Sequence, residues 1–230
     1  MPRTSEMLRW VEALPVGSFF RQEEVPGPNR SAVASFLCRE HARPDASKRV
    51  VRVAPRLYWK VAEAHIIEGR LHLPSVEEVG DAFAGPHAAA VGWFGAHRVG
   101  WSSQLSVRFV YAVPGEPRSR NPIERVSLVG RRNPRRRHLN TIEATYLEAL
   151  VTFDRWADEF LDFDDRWQAA LDCAASRLRR RITAGLPVPA PEALQYAAAT
   201  ERVKHPHLFR RRVSECAQMV SDVWAERQAR

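Results

Sequence analysis

The first sixty residues alternate between helical and extended patterns in an order that few folds accommodate. Ser5 to Leu14 carries Met7, Leu8, Val11 and Leu14 at helical spacing, and Pro15 and Gly17 stop the run. Phe19 and Phe20 lead into a short polar helical turn, RQEEV, and PGPN punctuates the chain again. Asn29 is a good N-cap for a helix from Arg30 to about Glu40. That helix has Val33, Phe36 and Leu37 on one face and Ser31, Ala34, Ser35 and Arg39 on the other. Two β-rich runs joined by Ala54-Pro55-Arg56 follow in KRVVRVAPRLYWKV, decorated by Lys48, Arg49, Arg52, Arg56 and Lys60. Helix, helical turn, helix and basic hairpin is the plan of a winged helix-turn-helix. A helix with a small polar face can enter a major groove, and a cationic ribbon beside it can grip phosphates. On this reading Arg30, Ser31 and Ser35 approach base edges or the groove wall, and Arg39 belongs to the same DNA-binding face. Lys48, Arg49, Arg52, Arg56 and Lys60 neutralise phosphates.

Charge points the same way. The chain has a net charge of +8 over 230 residues, an excess that favours an anionic partner such as nucleic acid. The other reading of that excess is a basic surface kept for solubility. With 45% hydrophobic residues and seven Trp the chain can bury a core, which excludes a disordered tail. Cys38, Cys173 and Cys216 are odd in number and widely spaced, which fits neither a disulfide framework nor a zinc site. No apolar run is long enough for a membrane span, and no signal-peptide pattern is seen, so a cytoplasmic protein is expected.

Past the hairpin, residues 62–74 read as a connector, strand or short helix. Ser75 to Phe83 reads as a capped helix that Gly85-Pro86 breaks. The small, apolar stretch His87 to Val99 reads as one tightly packed helix, with Gly92 and Gly95 as its weak points. Ser106 to Val113 and Glu124 to Val129 read as strands, and Thr141 to Trp156 and Asp164 to Ile182 as helices. A stiff GLPVPAP linker precedes two final helices, Glu192 to Val203 and Leu208 to Gln228. The expected organisation is a DNA-binding domain over 1–61, a mixed domain over 62–186 and a helical extension over 187–230.

Three further clusters invite a functional reading. Arg118, Arg120, Arg125, Arg131, Arg132, Arg135, Arg136 and Arg137 lie within twenty residues. Pro134 gives the RRNPRRR core a fixed local shape, so Arg131, Arg132, Arg135, Arg136 and Arg137 form a second basic patch for DNA, RNA or a protein partner; the alternative is a solvated loop. The carboxylates between Glu143 and Asp172, among them Glu148, Asp158, Glu159, Asp162 and Asp165, fall on helices, and no strand-borne Asp is followed by Glu-x-Lys, so a metal-dependent nuclease is not expected. His205-Pro-His207 reads as helix punctuation rather than a metal site, and no phosphate loop or nucleophile-histidine signature is present. Neither a catalytic group, a cofactor nor a metal is expected.

The block GWFGAHRVGWSSQLSVRFVYAVPG, with Ala96 to Gly100, Gln104 and the strand 106–113, resembles the corresponding block of the AbiEi-type antitoxins of abortive-infection toxin–antitoxin systems. RRNPRRRHLNTIEATYLEALVTF resembles the basic stretch and Glu-containing helix that follow in that family, and the likeness covers roughly residues 5 to 155. Arg56 stands where the family usually has Gly in the wing, and Arg21 where a Ser or Thr cap usually opens the second helix. The resemblance implies a repressor that binds repeats in its own operon as double-stranded DNA and counteracts a nucleotidyltransferase-like toxin. Two rivals remain: an ordinary winged-helix regulator with a sensing domain, and a nuclease anchored by a winged helix. The fold expected is α+β, an N-terminal winged helix-turn-helix followed by a helix-rich mixed domain with a small sheet.

Overall fold

In a computed structural model, which describes residues 2–117, 119–156 and 163–229, the chain is mixed α and β, with helices and three small sheets. Arg118, Asp158, Glu159 and Asp162 lie outside the described residues. The chain divides into two compact units, Met1–Phe83 and Ala84–Arg230.

The first unit begins with α1 (Pro2–Ala13), β1 (Phe19–Arg21), a 3-10 turn at Gln22–Glu24 and α2 (Arg30–His41). Asn29 starts α2 by accepting a hydrogen bond from the Ala32 N–H at 2.8 Å. β2 (Val50–Ala54) and β3 (Leu57–Lys60) form the hairpin, and the antiparallel sheet runs in the order β1-β3-β2. β3 is its central strand and all four of its residues are buried, so its sequence has no reason to alternate. Met7, Val11, Phe20, Val33, Phe36, Leu37, Val50 and Tyr58 form the core of this unit. Gly27 lies close over α2: a Cβ there would fall 2.5 Å from Val33 Cγ2. β4 (Ile66–Ile67) and β5 (Arg70–Leu71) make a second, short hairpin. In α3 (Val76–Ala84), Ser75 and Glu78 cap each other's backbone N–H groups at 3.2 and 2.8 Å.

In the second unit, the stretch expected to be one helix over 87–99 is divided. Ala89–Ala90 form β6, and only Gly92–Val99 form a helix, α4. The division follows from packing. The Ala90 carbonyl sits where a Cβ on Gly95 would come within 2.5 Å, so a glycine lets α4 close over β6. β7 (Phe109–Pro114) pairs antiparallel with β6 and parallel with β8 (Val126–Arg131). The strand expected from Ser106 begins three residues later, and Val107 is exposed. A 3-10 helix at Pro134–His138 leads to α5 (Thr141–Val151), which Thr152 separates from α6 (Phe153–Trp156). α7 (Phe163–Thr183), α8 (Pro191–Ala198) and α9 (Pro206–Gln228) complete the chain. α5 is the hub: Glu143 through Leu150 are all buried, among β6, α4, α8 and α9. Trp101 meets Tyr146 and Trp167 edge-on, at 5.7 and 5.8 Å between ring centres.

Candidate nucleic-acid interface

α2 buries Val33, Phe36, Leu37 and Glu40, and leaves Arg30, Ser31, Ser35, Cys38 and Arg39 exposed, with Ala34 half-buried between them. The hairpin adds Arg52 and Arg56, both exposed. Arg30 and Arg56 line one shallow cleft with Glu23 and Asn29, which brings the start of α2 next to the hairpin tip. At the other end of α2, His41 Nδ1 accepts a 3.3 Å hydrogen bond from the Arg52 backbone N–H. That bond fixes the His41 tautomer, with the ring proton on Nε2. Burial, followed by the nearby cations of Lys48 and Arg52, lowers the His41 pKa below its ordinary 6.5.

Arg56 forms the turn with φ of +59°, in the left-handed region that favours glycine. Arg56 also pairs with Glu23 at 3.3 Å. Arg21 caps no helix N-terminus. Its guanidinium donates to the Phe83 carbonyl at 2.7 Å, at the C-terminal end of α3.

Three more of the expected hairpin cations have internal partners. Lys48 donates to Asp45 at 3.0 Å, and that hydrogen bond holds the Asp45 carboxyl below its usual range. Arg49 lies between Glu12 and Glu40, 3.8 and 4.0 Å away, and links α1 and α2 to the start of the hairpin. Lys60 is corrected outright. It is 8% exposed, and its ammonium donates to the Val11 and Glu12 carbonyls at 2.5 and 2.8 Å. It therefore caps the C-terminus of α1, where a cation suits the helix dipole, and does not face solvent. Burial lowers its pKa from the ordinary 10.5.

The second basic patch is in larger part engaged in internal contacts, and this too corrects the expectation. Arg131 binds Glu148 with two bonds, of 2.6 and 2.8 Å, while Arg136, only 3% exposed, bonds to both Glu148 and Glu201. Burial disfavours a charge on Glu148, yet the two guanidiniums outweigh it and hold its carboxyl below the usual carboxylate range. Arg135 lies 4.3 Å from the Tyr196 ring centre and donates to the Tyr196 carbonyl. Asn133 donates to Glu201 and to the Ala197 carbonyl. The sequence run thus joins the end of β8 to α5 and α8. Only Arg132 and Arg137 of the five are exposed.

Among the described residues no group of three or more His, Cys, Asp or Glu side chains is placed to hold a metal ion. Asp164 pairs with Arg211, and Glu143 caps α5 by accepting from the Asn140 N–H. No helix among the described residues is long and apolar enough to cross a membrane.

The chain matches no protein-family model and no curated protein sequence. Among solved structures it aligns with the crystal structure of the RV2827C protein from Mycobacterium tuberculosis, over 95% of this chain and 80% of that one, at 15% identity and a TM-score of 0.36.

Proposed function

We propose that the first unit is a winged helix-turn-helix that binds double-stranded DNA, with α2 as the helix that enters the major groove and the β2–β3 hairpin as the wing. The observation that carries this reading is the exposed face of α2. Ser31 and Ser35, too small to keep a duplex away, are flanked by Arg30 and Arg39 and continued by Arg52 and Arg56 on the hairpin. The order of elements and the β1-β3-β2 sheet support it. In this arrangement the serines and Arg30 meet base edges, and Arg39, Arg52 and Arg56 meet phosphates. Lys60 and the Arg131–Arg136 pair are left out, because they are engaged in internal contacts.

The wider role rests on the resemblance over residues 5 to 155: a repressor of its own toxin–antitoxin operon that counteracts a nucleotidyltransferase-like toxin. The exposed Arg132 and Arg137 are the remaining candidates for a toxin or second nucleic-acid contact. A gel shift on the DNA upstream of the gene, competed with unrelated duplex, tests the first part. Growth rescue on co-expression with the product of the adjoining gene tests the second. Equal affinity for both duplexes removes the operator reading, and absence of rescue removes the antitoxin role while leaving DNA binding standing.

A further inference from the structure

The second unit holds a cleft of about 650 Å³, of the size that encloses a small organic ligand. One wall is a single stripe of α7, in which Ala169, Ala170, Cys173 and Ser176 are small and leave a groove. Arg166, Arg177 and Arg180 stand on the same stripe. The opposite wall is Trp93 with the loop Gly100 to Gln104, and Trp101 sits beneath, held edge-on by Tyr146 and Trp167.

We propose that this cleft binds a nucleoside monophosphate, its base against the Trp93 indole and its phosphate between the guanidiniums of α7. Arg177 and Arg180 against the single carboxylate of Asp172 leave this end of the lining cationic. Asp172 is itself engaged by Gln168 at 3.0 Å. Arg177 is fixed in place. Its stem lies against Gly100, where a Cβ would come within 2.3 Å of Arg177 Cδ, and its Nη1 donates to the His97 carbonyl at 2.7 Å. Arg180, one turn further along, is exposed and makes no ion pair among the described residues, while its neighbour Arg179 is committed to Glu226. A planar guanidinium pair suits a phosphate, an indole face suits a flat heterocycle, and Ser102, Ser103 and Gln104 offer hydrogen bonds to a sugar. Stacking on indole tolerates any base, so the geometry specifies the phosphate more strongly than the base.

Cys173 reports on the cleft directly. It is exposed there, Cys216 is buried, and Cys38 is the other exposed thiol. In the full chain carrying Cys38→Ser, the rate at which N-ethylmaleimide alkylates Cys173 is measured with AMP, GMP, CMP or UMP at up to about 1 mM, the weak end of specific binding. At least one nucleotide is expected to slow alkylation severalfold, with adenosine and inorganic phosphate each protecting less than AMP where AMP is the ligand. Arg180→Glu is expected to abolish the protection without changing the melting temperature, because the side chain is exposed. The proposal is overturned if no monophosphate protects Cys173, if protection survives Arg180→Glu, or if a nucleotide binds by calorimetry without protecting Cys173. The readout lies in the second unit, so it succeeds or fails independently of DNA binding by the first.

Discussion

Arg131 holds Glu148 with two parallel N–H···O bonds, and Arg136 adds a third to the same fully buried carboxylate. Removing Arg136 leaves Glu148 with Arg131 alone and deprives Glu201 of its guanidinium partner, and breaking buried ion pairs in this way costs up to about 3–5 kcal/mol. Arg136→Ser is therefore expected to destabilise the chain by that order in urea unfolding. Arg137→Ser, at an exposed position, should stay within about 0.5 kcal/mol of the parent. Equal midpoints for the two variants would show that the clamp contributes nothing.

The same carboxylate gives the protein an acid limit. Because the Glu148 pKa in the folded chain lies below its ordinary 4.5, its contribution is fully present above pH 4.5 and is lost as pH falls from there through the lowered value. Glu148→Gln should be less stable at neutral pH and lose less on acidification below pH 4.5. A parallel decline of the two proteins would contradict the assignment.

These roles also show where the sequence is legible. Asn29, Ser75 and the Ala54-Pro55-Arg56 turn act on neighbours within a few residues, so α2, α3 and the hairpin can be read directly from the sequence. The acids that hold Arg131 and Arg136 lie 12 to 65 residues away in sequence, and a run of arginines looks the same whether it is solvated or clamped. β6 has two alanines, which carry no strand preference, and exists only because Ala89 and Ala90 find Ala112 and Tyr111. Lys60 looks like a wing cation because its anchors, the Val11 and Glu12 carbonyls, belong to another helix. The face of α2 needs only helical periodicity, and the side expected to be exposed is the exposed one.

Lys60→Met should therefore act on stability alone. The Val11 and Glu12 carbonyls lose a charged donor, at a cost of about 1.5–3 kcal/mol, and the salt dependence of DNA binding should not change. A reduced salt slope would return Lys60 to the phosphate contacts.

His41 makes the first unit sensitive to mild acid. Its neutral Nδ1 accepts the Arg52 N–H, and its lowered folded pKa means that protonation favours the unfolded chain. That contribution is fully present above pH 6.5 and is lost as pH falls from 6.5 through the folded value. Unfolding free energies at pH 7.5 and 5.5 should differ more in the parent than in His41→Gln. An equal difference would show that the His41–Arg52 hydrogen bond does not set the acid sensitivity.

Arg56→Gly should separate stability from binding. Glycine relieves the left-handed backbone at φ of +59°, worth about 1 kcal/mol, which outweighs an exposed ion pair with Glu23. The variant is expected to unfold at higher urea and bind DNA more weakly. A variant no more stable than the parent would remove the strain argument, and unchanged affinity would remove Arg56 from the interface.

The central claim is that the exposed faces of α2 and the hairpin together hold a duplex. The most direct test is the DNA dissociation constant across a range of salt concentrations, for the parent, Arg39→Ala, Arg52→Ala and Ser35→Glu. The expected result is a steep salt dependence in the parent, reduced by about one phosphate contact in each arginine variant, and loss of operator binding in Ser35→Glu. If all four proteins bind with the same affinity and the same slope, the duplex does not lie on α2 and the hairpin.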